Sequence, residues 1–164
     1  MNRRDFLART AAGTAAFAFG RGFCFEDLEP GARFRTHRRT ISEADLSAFV
    51  NLTWLTEELF AVADDEGRAI KGRAVPGALV YSFAEGLLLP TMQDTGLAFL
   101  NATLDVKRST VVGDTIHVEC EVIEHRLTSK GDRGLVRFAN KVVNQRGETV
   151  LEYNPLRMLR RREA

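Results

Sequence analysis

Residues 77–89 read Gly77-Ala78-Leu79-Val80-Tyr81-Ser82-Phe83-Ala84-Glu85-Gly86-Leu87-Leu88-Leu89, with Pro76 before them and Pro90 after. Wound as a helix, this stretch leaves almost no polar face. A helix that is apolar nearly all round is buried rather than laid on a surface. Pro76 and Gly77 break what precedes, and proline is tolerated at a helix start because its missing N–H would have no partner there. Pro90 ends the run. One buried helix therefore sets the problem that the rest of the chain must solve.

The second half of the chain supplies strands. Ala98, Leu100, Ala102, Leu104 and Val106 alternate with mostly polar residues, and Ile116, Val118, Cys120 and Val122 alternate with His117, Glu119 and Glu121. Val136, Phe138 and Val142 share a face of a third strand, and Val150 to Leu159 forms a fourth. A period of two predicts a sheet with one face buried and one wet. The connections are short turns at Val112-Gly113-Asp114, Ser129-Lys130-Gly131-Asp132 and Gln145-Arg146-Gly147, which favours antiparallel neighbours. Pro155 inside the last strand predicts an edge or a bulge. An antiparallel sheet wrapped around one long central buried helix satisfies both elements with one core. The expected class is α+β, in the hot-dog arrangement.

Upstream, Phe25 to Gly31 is a turn-rich opening and Phe34 to Thr40 reads as a short arginine-rich strand. Ser42 is a good N-cap, with Asp45 placing negative charge near the helix N-terminus. Ile41, Leu46, Phe49 and Val50 form the apolar face of that helix. Asp64-Asp65-Glu66-Gly67 marks a surface loop.

The 164 residues, 45% hydrophobic and 27% charged, suit one globular domain over residues 22–160. A net charge of +1 from 23 basic and 22 acidic residues gives no basic field, so nucleic acid is a poor partner. Cys24 and Cys120 lie far apart, without a CxxC or a pattern with the histidines, so they read as free thiols and no metal site is expected. Residues 1–20 stand apart. Arg3-Arg4, Asp5-Phe6-Leu7, a mildly apolar run and Ala18-Phe19-Gly20 resemble a twin-arginine export signal. The other reading is an N-terminal extension. The run is too short to span a bilayer as a helix.

Several segments in order resemble the MaoC-like acyl-CoA dehydratase and R-specific enoyl-CoA hydratase family. They are Phe25-Glu26-Asp27-Leu28-Glu29-Pro30-Gly31, Ile41-Ser42-Glu43-Ala44-Asp45, Phe49-Val50-Asn51-Leu52-Thr53, Gly72-Arg73-Ala74-Val75-Pro76-Gly77-Ala78-Leu79 and Val112-Gly113-Asp114-Thr115-Ile116. The resemblance implies a hot-dog domain that hydrates enoyl-CoA thioesters or runs the reverse dehydration, with the acyl-CoA as substrate or ligand and no bound cofactor. It implies a homodimer on a continuous sheet, or a heterodimer with a hot-dog paralogue. CoA chemistry places such a protein in the cytoplasm; a working export signal would place it in the periplasm.

The family's chemistry needs an aspartate and a histidine after the first helix, and a backbone amide at the start of the central helix for the thioester oxyanion. Gly77 stands at the amide position, where the missing side chain lets a thioester approach. The proton carriers are absent. The family continues Gly-Asp-x-Asn-Pro-(Leu/Ile)-His where this chain has Trp54-Leu55-Thr56-Glu57-Glu58-Leu59-Phe60. Leu55 falls at the aspartate and Phe60 at the histidine, and neither carries a proton.

Glu57 and Glu58 are the replacement candidates, because a glutamate in an apolar cleft has a raised pKa suited to acid–base work. Trp54 and Phe60 are expected to reshape the cleft, with Tyr81 and Ser82 reaching it from the central helix. Lys107 and Arg108 are the best pair for the CoA phosphates, ahead of Lys71, Arg73 and Lys130. His37, His117 and His125 are weak candidates, His117 being expected on the wet face of its strand. The rival readings are a non-catalytic acyl-thioester binder or dimer partner of an active paralogue and, ranked last, a hot-dog thioesterase.

Overall fold

The computed structural model describes residues 21–62 and 69–162. Residues 1–20 and the acidic loop at Asp64–Gly67 lie outside the described residues. Among those described, no helix is long and apolar enough to cross a membrane.

The elements run β1 (Arg33–Arg35), β2 (Arg39–Thr40), α1 (Glu43–Thr53), α2 (Glu58–Ala61), β3 (Ala74–Val75), α3 (Gly77–Leu88), β4 (Gly96–Asn101), β5 (Leu104–Val106), β6 (Thr110–Val111), β7 (Thr115–Leu127), β8 (Arg133–Val143), β9 (Thr149–Tyr153) and β10 (Leu156–Arg160). One sheet is antiparallel throughout. β1 and β2 pair with β7, β7 with β8, β8 with both β9 and β10, and these with β5 and β4. β3 and β6 form a separate short ladder beside the start of α3. Helix α3 lies across the sheet, as the hot-dog arrangement requires. Leu79, Val80, Ala84, Leu87 and Leu88 are buried against Ile116, Val118, Val122, Val136, Phe138, Val142, Leu151 and Leu159. Each of the larger side chains contributes about 1.5–3 kcal/mol by leaving water.

Several sequence expectations need correction. Helix α3 is not buried all round, because Ala78, Ser82 and Gly86, at four-residue spacing, form an exposed stripe. The alternating residues from Ala98 to Val106 are all exposed, since β4 and β5 form the outer edge of the sheet, where the helix covers neither face fully. The reading from Phe34 to Thr40 splits into β1 and β2, with Thr36 turning inward to receive a hydrogen bond from Val118 N–H (2.9 Å). Pro155 does interrupt its strand, dividing β9 from β10, but the pair is internal, between β8 and the β4–β5 edge. His117 is only 5% exposed and lies 3.3 Å from Glu119.

Helix α1 begins where the cap residues predict. Asp45 N–H donates to Ser42 Oγ (3.2 Å), and Ser42 N–H donates back to Asp45 Oδ2 (2.9 Å). The Ser42 N–H first, then the Ser42 hydroxyl and the Arg39 guanidinium, hold the Asp45 carboxyl below its usual range against partial desolvation. Removing this box by Ser42→Ala lowers the unfolding free energy by about 1 kcal/mol in urea melts. A depressed carboxyl stabilises the fold above its unfolded pKa of about 3.9, and that contribution disappears as pH falls through the lower folded value. The deficit of Asp45→Asn relative to the parent therefore shrinks as urea melts are taken from about pH 7 to about pH 3.

Candidate functional site

The site is built from three pieces of chain held at the start of α3. The first is the end of α1. Its last residue, Thr53, bonds through its hydroxyl to Phe49 C=O (2.7 Å), and Trp54 caps the helix in the left-handed region at φ 60°. Left-handed backbone at a helix C-cap is glycine's conformation. In the pattern that this segment resembles, a glycine stands at this place. The chain then runs through Leu55 and Thr56 into the short helix α2, with Glu57 at its N-cap. Leu55 and Phe60 are half-buried, and Phe60 packs on the core. Glu57 and Glu58 are exposed, and Trp54 is 84% exposed. Phe60 thus turns toward the core while Glu57 and Glu58 turn out.

The second piece is Arg73, on the approach to β3. Its Nε donates to Phe60 C=O (2.8 Å) and its guanidinium pairs with Glu43 at the start of α1. Its own carbonyl accepts from Val112 N–H (3.0 Å). Arg73 therefore ties α1, α2 and the turn before β7 to the strand that leads into Gly77. That use removes it from the phosphate candidates.

The third piece is the turn after β6. Gly113 N–H donates to Ile41 C=O (2.8 Å) and Ile41 N–H donates to Asp114 C=O (2.9 Å). The buried Asp114 carboxylate accepts from Val111 N–H, Gln145 Nε2 and Arg146. Gly113 sits at φ 93°, which explains the residue. The resembling segments that include Ile41, Arg73 and Gly113 thus meet in space at one helix end, whereas residues 25–31 pack toward the other end of β7, where His125 lies 3.1 Å from Phe25 C=O.

At that end Pro76 is the N-cap and provides no side-chain cap. Leu79 and Val80 N–H both donate to Pro76 C=O, at 3.0 and 3.2 Å. The Gly77 and Ala78 amides precede this turn, at the positive end of the helix dipole. A Cβ on Gly77 would lie 2.9 Å from Val106 Cγ2, so the site demands glycine. Val106 ends β5, and Lys107 and Arg108 follow it directly. Gly77 and the predicted phosphate pair are therefore neighbours through Val106. Lys107 is engaged by Asp105 and, at 3.4 Å, by Glu152; the bond to Asp105 first, with both charges, holds its ammonium above the usual range. Arg108 is exposed. Tyr81, one turn into α3, is half-buried with its ring at 89° to Tyr153, 5.1 Å between centroids. Burial first, then the Glu85 carboxylate, pushes its phenol up, with Arg157 opposing.

The structure thus gathers Gly77, Tyr81, Lys107 and Arg108 along one side of α3, while Trp54, Glu57 and Glu58 face solvent on the segment beside it. Sequence reading missed Glu85 and Arg157, which pair beneath the same side of the helix. A signal was present: Glu85 is the one charged residue between Gly77 and Leu89.

No family model and no curated protein matches the chain. Solved structures do. A MaoC-like dehydratase from Rhodospirillum rubrum aligns with a TM-score of 0.74 and 26% identity, covering 87% of this chain and 100% of that one. The R-hydratase PhaJ1 from Pseudomonas aeruginosa aligns at 0.68 and 25%, covering 87% and 88%. The double hot-dog protein Rv0216 from Mycobacterium tuberculosis aligns at 0.70 and 23%, covering 86% and 45%, and supports the fold.

Left-handed backbone at a non-glycine residue is strained by about 1–2 kcal/mol. Trp54→Gly, which restores the residue suited to that turn, is expected to raise the melting temperature by a few degrees in differential scanning calorimetry.

Proposed function

We infer that this chain, a MaoC-like protein of the hot-dog fold, binds an acyl-CoA thioester with its carbonyl at the Gly77 amide and does not hydrate it through the usual aspartate and histidine. The reading rests on one observation. The segment that resembles the family's catalytic loop carries Trp54 in the left-handed conformation, and the positions that align with the aspartate and the histidine hold the half-buried Leu55 and Phe60. Neither can take a proton from water or return one to the substrate. Glu57 and Glu58 carry acids, but both lie on the exposed side of their segment.

The binding half of the site keeps its physical basis. A thioester oxygen at the start of α3 would meet backbone donors and the positive end of the dipole. Arg108, exposed beside Val106, is the better placed of the two cations for a CoA phosphate, because Lys107 is already held by two carboxylates.

The outer edge formed by β4 and β5 carries exposed Leu97, Phe99, Leu100, Leu104 and Val106. An open apolar edge invites a second hot-dog unit to continue the sheet. We read it as the dimer edge, for a second copy or an active paralogue, and that assembly would cover one side of the acyl groove.

Crotonyl-CoA is expected to raise the melting temperature in a saturable manner, as a ligand of the native state does. Gly77→Ala, whose new methyl crowds Val106, weakens binding about tenfold or more in the same titration. Hydration of crotonyl-CoA, followed by loss of enoyl absorbance, stays at the uncatalysed rate. Turnover that disappears in Glu57→Gln or Glu58→Gln would restore those carboxylates as proton carriers and overturn the binder reading. Absence of any thioester-induced stabilisation would overturn the site itself.

A further inference from the structure

Leu52 and Trp54 are 83% and 84% exposed, well ahead of every other large apolar side chain among the described residues. They stand two residues apart, at the end of α1 and its cap. Leu59 on α2 and Val62 just after it are exposed as well. Trp54 is held at φ 60°, a conformation that favours glycine. A tryptophan in that conformation, turned into water, buries little against its own domain. A large aromatic exposed beside a leucine is the composition of a contact site.

The charge around this face says what covers it. Residues 43–62 carry four acidic side chains and no lysine, arginine or histidine. Glu43 and Asp45 are paired with Arg73 and Arg39, whereas Glu57, three residues from Trp54, is exposed. The face is apolar with a negative rim, and it is complementary to a segment that is apolar and positive. Residues 1–20 have that chemistry. They set Arg3, Arg4 and Arg9 against Asp5 alone, and they carry Phe6, Leu7, Phe17 and Phe19.

The described chain begins beside the far end of α3. Gly22 N–H donates to Gln93 C=O (2.8 Å) and Phe23 N–H to Thr91 C=O (2.7 Å). A Cβ on Gly22 would lie 2.6 Å from the Thr91 carbonyl oxygen, so this anchor is close-fitting. Trp54 lies toward the start of α3, a helix of 12 residues that rises about 18 Å. Residues 6–20 reach about 50 Å when extended, enough to bring Phe6 and Leu7 to Trp54. The tether supplies an effective concentration in the millimolar range, which a separate partner lacks.

We propose that the Leu52–Trp54 face is the docking site of this chain's own N-terminal segment, with Phe6 and Leu7 on the indole and Arg3 and Arg4 toward Glu57. The contact is independent of the thioester reading and lies on the segment that borders the start of α3.

Trp54 is the single tryptophan, so the fluorescence of the intact chain, its mass confirmed, reports this face directly. A contact of about 0.1 mM affinity is about nine-tenths occupied at about 1 mM effective concentration. Acrylamide quenching of the parent is therefore expected to be severalfold weaker than that of Phe6→Ser/Leu7→Ser, whose substitutions lie outside the described domain and leave its melting transition in place. Arg3→Glu/Arg4→Glu and, separately, Glu57→Lys should expose the indole as well, and combining them should shield it again. Equal quenching of the parent and Phe6→Ser/Leu7→Ser would overturn the proposal. Shielding that Arg3→Glu/Arg4→Glu leaves unchanged would overturn it too. Shielding that grows with protein concentration would assign the face to a second copy instead.

Discussion

Burial of one face of α3 against the β7–β8–β9/β10 sheet is the constraint on which the molecule depends. Leu79, Val80, Ala84, Leu87 and Leu88 share one core with the inward residues of the long strands, and Leu46 and Val50 of α1 join it. Everything around the site is arranged by that contact. It fixes where the helix begins, and therefore where the Gly77 amide points. It also fixes which side of the helix looks along β5 and β4.

Around the helix start, hydrogen bonds rather than apolar contacts set the geometry. Arg73 holds the Phe60 carbonyl and Glu43, and the Gly113–Asp114 turn holds Ile41. These ties hold the segment from Trp54 to Phe60 beside the start of α3. A strained tryptophan in a glycine turn is consistent with a backbone course dictated by its surroundings rather than by local preference.

The polar cluster below Tyr81 has a different logic. Glu85 and Arg157 spend much of their attraction on leaving water, so the pair is a weak argument for stability. Cys120, on the strand opposite Asn140, is part of the same neighbourhood, and burial first, then Glu85, pushes its thiol well up. It behaves as a small apolar residue there, which fits the reading of both cysteines as unpaired thiols.

By itself the sequence determined the α+β class, the central helix from Gly77, the capped start of α1 at Ser42, and the presence of Leu55 and Phe60 where the resembling pattern has an aspartate and a histidine. These are local or periodic properties, and they can be read from composition, spacing or register. Only the tertiary structure decided that Ala98 to Val106 stay exposed, that Glu57 and Glu58 face out, that Arg73 is a tie rather than a phosphate ligand, and that Glu85 meets Arg157. Alternation along a strand says that its two faces differ, not whether a neighbouring layer covers one of them. A charge in a helix likewise does not name its partner. Those answers depend on strand order and on residues far apart in sequence, which come together only when the sheet closes over α3.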